Sequence, residues 1–141
     1  MVNAVDAGVD LDGMIEYLEG TPVVFALLFG SHARGTAESE SDVDVALRLP
    51  EGTSDYERFR VRNRIDAELQ RFADGFVDVS DVDALPTEVA YAALRDGIVL
   101  VGDESTVRAH REQVADAYEQ TADERERERR EFIDRLARGD A

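Results

Sequence analysis

Two aspartates separated by one valine, Asp42 and Asp44, stand at the head of an apolar run in 'SDVDVAL'. Alternate side chains of an extended strand share a face, so both carboxylates project to one side, close enough to repel. Alone, that arrangement subtracts from stability; a bound cation would reverse its sign. A third carboxylate, Asp78, interrupts the apolar stretch 'FVDVSDV' between Val77 and Val79. A carboxylate within a buried strand is costly unless it is paired or metal-bound. Three carboxylates on adjacent strands are hard oxygen donors that suit two divalent cations, Mg²⁺ above all. Upstream, Gly30-Ser31 closes the apolar run 'VVFALLF'. Glycine lets the backbone approach a ligand closely, and the amides that follow, with the Ser31 hydroxyl, can donate to phosphate oxygens. Arg34, three residues on, supplies charge for a triphosphate. Each piece alone is weak, since Gly-Ser after a strand is commonly just a turn.

Rival site chemistries lack their parts. An EF-hand loop needs glycine at its sixth position and glutamate at its twelfth, where 'DVSDVDALPTEV' has Asp83 and Val89. A phosphate loop of the Gly-Lys-Ser/Thr kind needs a lysine, and the chain has none. A zinc site has only His32 and His110 to draw on, with no cysteine. His32, beside Ser31, reads as a solvated loop histidine within reach of a phosphate, and His110, on the last helix, reads as a residue without a special role. The absence of cysteine also removes disulfides and thiolate chemistry.

These residues need elements to position them. Leu11, Met14, Ile15 and Leu18 have helical spacing, with Asp10 as N-cap and Gly20 as the stop. Val23 to Phe29 reads as a strand buried on both faces, ended by Gly30, and Val43 to Leu49 as a second strand closed by the turn 'LPEGTSD'. From about Ser54 to Ala73, Tyr56, Phe59, Ile65, Leu69 and Phe72 mark one face of a helix, with Arg58, Arg60, Arg62, Arg64 and Arg71 on its polar side. A third strand starts at Gly75. A helix lies between Pro86 and Gly97, and 'IVLVG' is a short fourth strand. Everything from Ser105 onward reads as helical, with 'TADERERERRE' either a solvated helix or a frayed arm. Strands mixed with helices in layers predict an α/β or α+β fold in one domain, its core about 10–103 and its C-terminal helical segment about 105–138.

The bulk numbers agree with a compact domain. The chain has 141 residues, 43% of them hydrophobic, enough for a real core. There are 32 acidic residues against 16 basic ones, every basic one an arginine, for a net charge of −16. The carboxylates are spread from Asp6 to Asp140 rather than gathered in a tail. That distribution predicts adaptation to high salt, where screening removes self-repulsion. A global negative field also argues against nucleic acid as the main partner. The N-terminal 'MVNAVDAGVD' has neither the basic residues nor the apolar run of a secretory leader. 'VVFALLF' is too short to span a bilayer. The expectation is a soluble, cytoplasmic protein.

With the parts assembled, 'GSHARGTAESESDVDVAL' resembles the signature of the polymerase-β-like nucleotidyltransferases: Gly-Ser, ten residues, Asp-x-Asp. The compact chain and the following 'VDVSDVDALPTEVAYAALRDGIVLVGD' are similar to the minimal nucleotidyltransferase (MNT) antitoxins, which are paired with HEPN-domain ribonuclease toxins in systems of the HepT–MntA type. The resemblance covers roughly Val23 to Asp103. It implies a mixed sheet flanked by helices, with Gly30 and Ser31 holding the triphosphate of ATP. It also implies that Asp42 and Asp44 ligate Mg²⁺ and that Asp78 is the third carboxylate, near the attacking hydroxyl. The implied reaction is transfer of AMP to a tyrosine of the toxin. A small hydroxylated acceptor, or an antitoxin that blocks its toxin sterically, are the alternatives. The C-terminal segment departs from the basic tail common in that family, because its charge is mixed in sign.

Overall fold

A computed structural model describes residues 8–37 and 41–139. The segment read above for a leader lies largely outside the described residues, as do Asp6 and Asp140 at the ends of the acidic distribution. Along the chain come α1 (Leu11–Glu19), β1 (Phe25–Phe29), α2 (Ser31–Arg34), β2 (Val43–Arg48), α3 (Asp55–Leu69), β3 (Val77–Asp81), α4 (Thr87–Asp96), β4 (Ile98–Gly102), α5 (Glu104–Gln120) and α6 (Ala122–Ala137). Local signals set most boundaries. The Asp10 carboxylate accepts the Gly13 N–H at 3.0 Å and starts α1, and Gly20 ends it. The Ser54 hydroxyl accepts the Glu57 N–H at 3.2 Å and starts α3. Gly97 closes α4 as expected.

The strands form one mixed sheet in the order β3-β2-β1-β4. β1 is antiparallel to both of its neighbours, while β2 and β3 run parallel. A parallel pair needs a long crossover, and α3 supplies it. Alternation along the strands builds two apolar layers. Val43, Val45, Leu47, Val77 and Val79 pack against Met14 and Leu18 of α1 and Ile65 and Leu69 of α3. Phe25, Leu27 and Ala46 face the other way, against Ala90 and Leu94 of α4 and Val107 of α5. Each fully buried Leu, Met or Phe contributes roughly 1.5–3 kcal/mol. With period two, Asp44 shares this second face with Ala46, and Asp78 shares it with Ser80.

β3 is an edge strand, and two side chains cover its outward backbone. The Gln70 amide donates to the Val77 carbonyl at 2.7 Å and accepts the Val77 N–H at 3.0 Å, and Arg62 donates to the Val79 carbonyl at 3.2 Å. These bonds remove polar groups that would otherwise template pairing with another strand.

The face expected of α3 is not the one it buries. Ile65 and Leu69 are buried, whereas Tyr56 and Phe59 are 68% and 59% exposed. At 3.6 residues per turn, Tyr56 stands about 180° and Phe59 about 120° around the helix from Ile65. Arg58 and Arg62 sit on the inward side instead. Arg58 reaches Asp81 at 2.8 Å, and Arg62 reaches β3. They are partners of the sheet rather than members of a solvated face. His110 likewise departs from expectation. It is only 7% exposed, accepts a hydrogen bond from Arg48 at Nδ1 (3.0 Å), and lies 5.7 Å from the Phe25 ring between centroids.

The C-terminal residues are helical as predicted, with a break at Thr121 between α5 and α6. The charged middle is a solvated helix, and α6 has no buried residue. Among the described residues no helix is long and apolar enough to cross a membrane.

Candidate active site

The connection between β1 and β2 and the start of β3 meet at one end of the sheet. Phe29, the last residue of β1, is in register with Asp44, and Asp44 is in register with Asp78 on β3. Two carboxylates therefore stand abreast on strands about 4.7–4.9 Å apart, on one face. Asp42 precedes β2 by one residue and is exposed. Burial holds the Asp44 carboxyl above its ordinary range, and the charges of Asp78 and then Asp42 push it further up, against the opposing pull of His32 and Arg34. The residues singled out in the sequence thus share one electrostatic neighbourhood.

Gly30 does more than end β1. Its φ is +76°, and a Cβ there would collide with the Asp44 carboxylate. Only glycine adopts this backbone readily and leaves the carboxylate its place. The glycine and the second aspartate of the motif are therefore in contact, which their separation in sequence does not reveal. After Gly30 the chain makes the single turn of α2, closed by the Arg34 N–H on the Gly30 carbonyl at 3.1 Å. The amides at the head of this turn have no helical carbonyl to bond and are available to an oxyanion. His32 is not a solvated loop residue. It is half-buried, and its Nε2 donates to the Ser41 carbonyl at 3.2 Å, pinning α2 to the entry of β2.

Asp78 corrects another expectation. It is exposed, not buried in its strand. β3 lies at the sheet edge, and the cluster packed by α4 and α5 includes no β3 residue. Its place in the site rests on register and charge, not on a burial cost. The donor chemistry suits a hard divalent cation, since three carboxylates are mutually repelled on one face. Yet among the described residues no group of three or more His, Cys, Asp or Glu is already spaced to hold a metal ion. The three share a face and a field without converging, and side-chain rotation would have to gather their oxygens.

Next to this cluster lies a cleft of about 410 Å³ between the end of β1 and α4. Phe29, Val89, Ala92 and Ala93 line its apolar part, with Gly30 and Arg34 on one side and Glu88 and Asp96 on the other. Glu88 is held by Arg125 at 3.2 Å and Asp96 by Arg95 at 2.8 Å. The Arg95 hydrogen bond holds the Asp96 carboxyl below its ordinary value, with a smaller contribution from Arg34. Sequence reasoning missed this cleft because α4 reads as an ordinary amphipathic helix. The available signal was the row Glu88, Ala92, Asp96, four residues apart and so on one helical face.

The geometry can be set beside known proteins. No curated protein matches the chain. Among solved structures, it is similar to a chain of a toxin–antitoxin crystallised with AMP-PNP, with 20% identity and a TM-score of 0.72 over 89% of this chain and 99% of that one. It is also similar to a chain of the toxin–antitoxin MntA–HepT (18% identity, TM-score 0.64, 87% and 96% covered). A third likeness is to a chain of the tri-AMPylated Shewanella oneidensis HEPN toxin in complex with MNT antitoxin (18% identity, TM-score 0.65, 87% and 95% covered). At these identities the likenesses establish a common fold. The sequence model of the family described as Polymerase beta, Nucleotidyltransferase matches residues 13–106, which takes in the Gly-Ser turn, the Asp-x-Asp pair, Asp78 and the cleft. A match over two thirds of the chain, on the fold and motif spacing that the family requires, makes this protein a member of the polymerase β nucleotidyltransferase family.

Proposed function

We propose that this chain is a Mg²⁺-dependent antitoxin that transfers AMP from ATP to a tyrosine hydroxyl of a HEPN-domain ribonuclease toxin. The observation that carries the reading is the registered pair Asp44–Asp78, like-charged and packed beside the Gly30 turn, in a member of this family. The toxin partner is supported by the fold shared with chains from toxin–antitoxin complexes, one of them crystallised with AMP-PNP and one containing an AMPylated HEPN toxin.

In this reading Gly30, Ser31 and Arg34 hold the triphosphate, through turn amides, a hydroxyl and a guanidinium. Asp42, Asp44 and Asp78 would hold Mg²⁺, which supplies charge neutralisation on the reacting phosphate and the leaving pyrophosphate. The tyrosine oxygen attacks the α-phosphorus, the bond to the bridging α–β oxygen breaks, and pyrophosphate departs. Asp78, exposed on the edge strand, takes the phenolic proton. A phenol with a pKa near ~10 needs less activation than an aliphatic alcohol. The added phosphate places negative charge on the toxin, where it repels RNA. The Lys-free surface with its charge of −16 suits a salt-rich cytoplasm.

One observation favours a second reading. The carboxylates do not already converge, as would suit an antitoxin that acts by steric binding alone. Incubating the protein with its co-encoded partner, ATP and Mg²⁺, followed by mass spectrometry, separates the two. An adenylylated tyrosine that is lost with Asp44→Asn is the expected result. A partner inhibited without modification would overturn catalysis in favour of steric action, and modification of a small hydroxylated compound alone would overturn the protein acceptor.

A further inference from the structure

We infer, resting on the nucleotidyl-transfer reading and extending it, that Phe76 is an acceptor-binding residue: the phenol of the acceptor tyrosine stacks on its ring while the phenol oxygen meets Asp78. Three observations carry it. First, backbone register puts the ring beside the carboxylates. Val43 pairs with Val77, and the Val43 N–H donates to the Phe76 carbonyl at 2.8 Å, so the parallel ladder continues one step before β3 begins. That step sets Phe76 abreast of Asp42, as Asp78 is abreast of Asp44. Val77 and Val79 are buried on the side of α1 and α3, so by alternation Phe76 and Asp78 face the other way, with Asp44.

Second, the ring has no partner within the chain. Phe76 is 58% exposed. The other large aromatics exposed among the described residues, Tyr56, Phe59 and Phe132, stand on helices, and an arginine covers each ring: Arg60 at 5.7 Å from the centroid, Arg62 at 6.0 Å and Arg135 at 5.9 Å. Among the described residues no ring or guanidinium stacks on Phe76. A lone exposed phenylalanine is ordinary on a protein surface. This one is set apart by its place in the row of carboxylates.

Third, Phe76 lies on the side from which the acceptor comes. With the triphosphate at Gly30–Arg34, pyrophosphate departs on the β1 side, and in-line transfer brings the acceptor in opposite to it. β3 is the edge strand on the far side of β2 from β1, so no further strand blocks that approach. Strand residues two apart are spaced by ~6.6 Å. A phenol oxygen held ~2.6–3.2 Å from Asp78 therefore carries its ring into the range of ~4.5–7 Å between centroids at which aromatic pairs attract. A serine or threonine acceptor has no ring to set against Phe76, so the residue also selects for a phenol.

The test uses the full chain with its co-encoded HEPN-domain partner, Mg²⁺ and ATP. It sets the single-turnover rate of AMP transfer at saturating partner against the affinity of the complex measured by calorimetry. Phe76→Ala is expected to lower the transfer rate about tenfold, on the scale of losing one aromatic pair. Its affinities for the partner and for Mg²⁺–ATP should stay within about twofold, and its thermal midpoint should hold because the ring is exposed. Phe76→Trp is expected to stay within about twofold of the wild-type rate, whereas Phe76→Leu, apolar but without a π face, should recover little of it. An unaltered rate in Phe76→Ala would overturn the inference and leave the transfer reading standing. So would a lower partner affinity at an unchanged saturating rate, which would make Phe76 a docking contact. A fall in midpoint that accounts for the lost rate, or full recovery with leucine, would overturn it as well. A wild-type protein that binds its partner and transfers no AMP would overturn both readings together.

Discussion

At one end of β2, Asp44 stands beside Asp78 with Asp42 close by, and their negative charges add. At the other end, Arg48 enters a cluster in which the signs alternate. Arg58 binds Asp81 at 2.8 Å and lies 3.6 Å from Asp83, Asp83 lies 3.6 Å from both Arg48 and His110, and Arg48 donates to His110 at 3.0 Å. Its one loose end is the buried Nε of Arg48, which has an ion-pair neighbour in Asp83 but no hydrogen bond. The two clusters lie on the same strand, four residues apart, and follow opposite rules. Alternating charges with short contacts fix β2, β3, α3 and α5 to one another. Like charges on a face that α4 and α5 leave open oppose folding, and in the proposed reading a divalent cation would offset them.

The sharpest way to break this comparison is to mutate both ends. Asp44→Asn is expected to lower nucleotidyl transfer by at least ~10²-fold, on the scale of losing one electrostatic group at a reacting centre. Without divalent cation its thermal midpoint should hold or rise, since one repulsive charge is gone. Arg58→Ala should do the reverse. It leaves Asp81, only 11% exposed, without its arginine and with the Asp83 N–H as a remaining donor, at a cost of about 1–3 kcal/mol. Transfer per folded molecule should stay within about twofold. Calorimetric melts and initial rates on both variants check this, and equal losses of stability at the two ends would erase the distinction.

Salt sharpens it. In 1 M KCl the Debye length is ~3 Å, so repulsion among surface carboxylates is largely screened while short, partly buried pairs are screened less. The wild-type midpoint is expected to rise by several degrees between low and molar KCl, on the order of 1 kcal/mol, and part of that gain should vanish in Asp44→Asn. A flat or falling midpoint would return weight to an acidic interaction surface.

The smallest effect is in pH. Burial and then Arg48 hold the His110 imidazole below its usual value, against a weaker upward pull from Asp83. The unfolded chain therefore takes up its proton first, near ~6.5. The stability due to neutral His110 is complete above that pH and declines as pH falls toward the depressed folded value. Asp44 works in the opposite sense. Its folded value is raised, so its contribution is lost as pH rises from the ordinary carboxylate range through that value. Between pH 7 and 5.5 the histidine is expected to contribute a loss of stability as pH falls. His110→Gln is expected to flatten this slope in melts taken across that range, and an unchanged slope would place the titrating group elsewhere.

Much of the fold is local and was therefore legible. Asp10 and Ser54 cap their helices because a side-chain oxygen three residues upstream meets an unbonded N–H. The strands at Phe25–Phe29 and Val43–Arg48 follow from apolar runs bounded by Gly30 and by the turn at Pro50. The motif itself is a matter of residue type and separation, so Gly30, Ser31, Arg34, Asp42, Asp44 and Asp78 stand out as candidates in the sequence alone. What sequence could not decide was anything fixed by a neighbour distant along the chain. Asp78 is exposed because strand order puts β3 at the edge. Arg58 and Arg62 turn inward because α3 packs on that strand rather than beyond it. Gly30 is irreplaceable because register carries Asp44 against its Cα, and the cleft exists only because α4 comes to rest beside the end of β1. Periodicity and capping act within a few residues, so one sequence carries them outright. Register, strand order and helix docking are set by the pooled burial of two apolar layers, and those layers take their shape only when the whole chain is assembled.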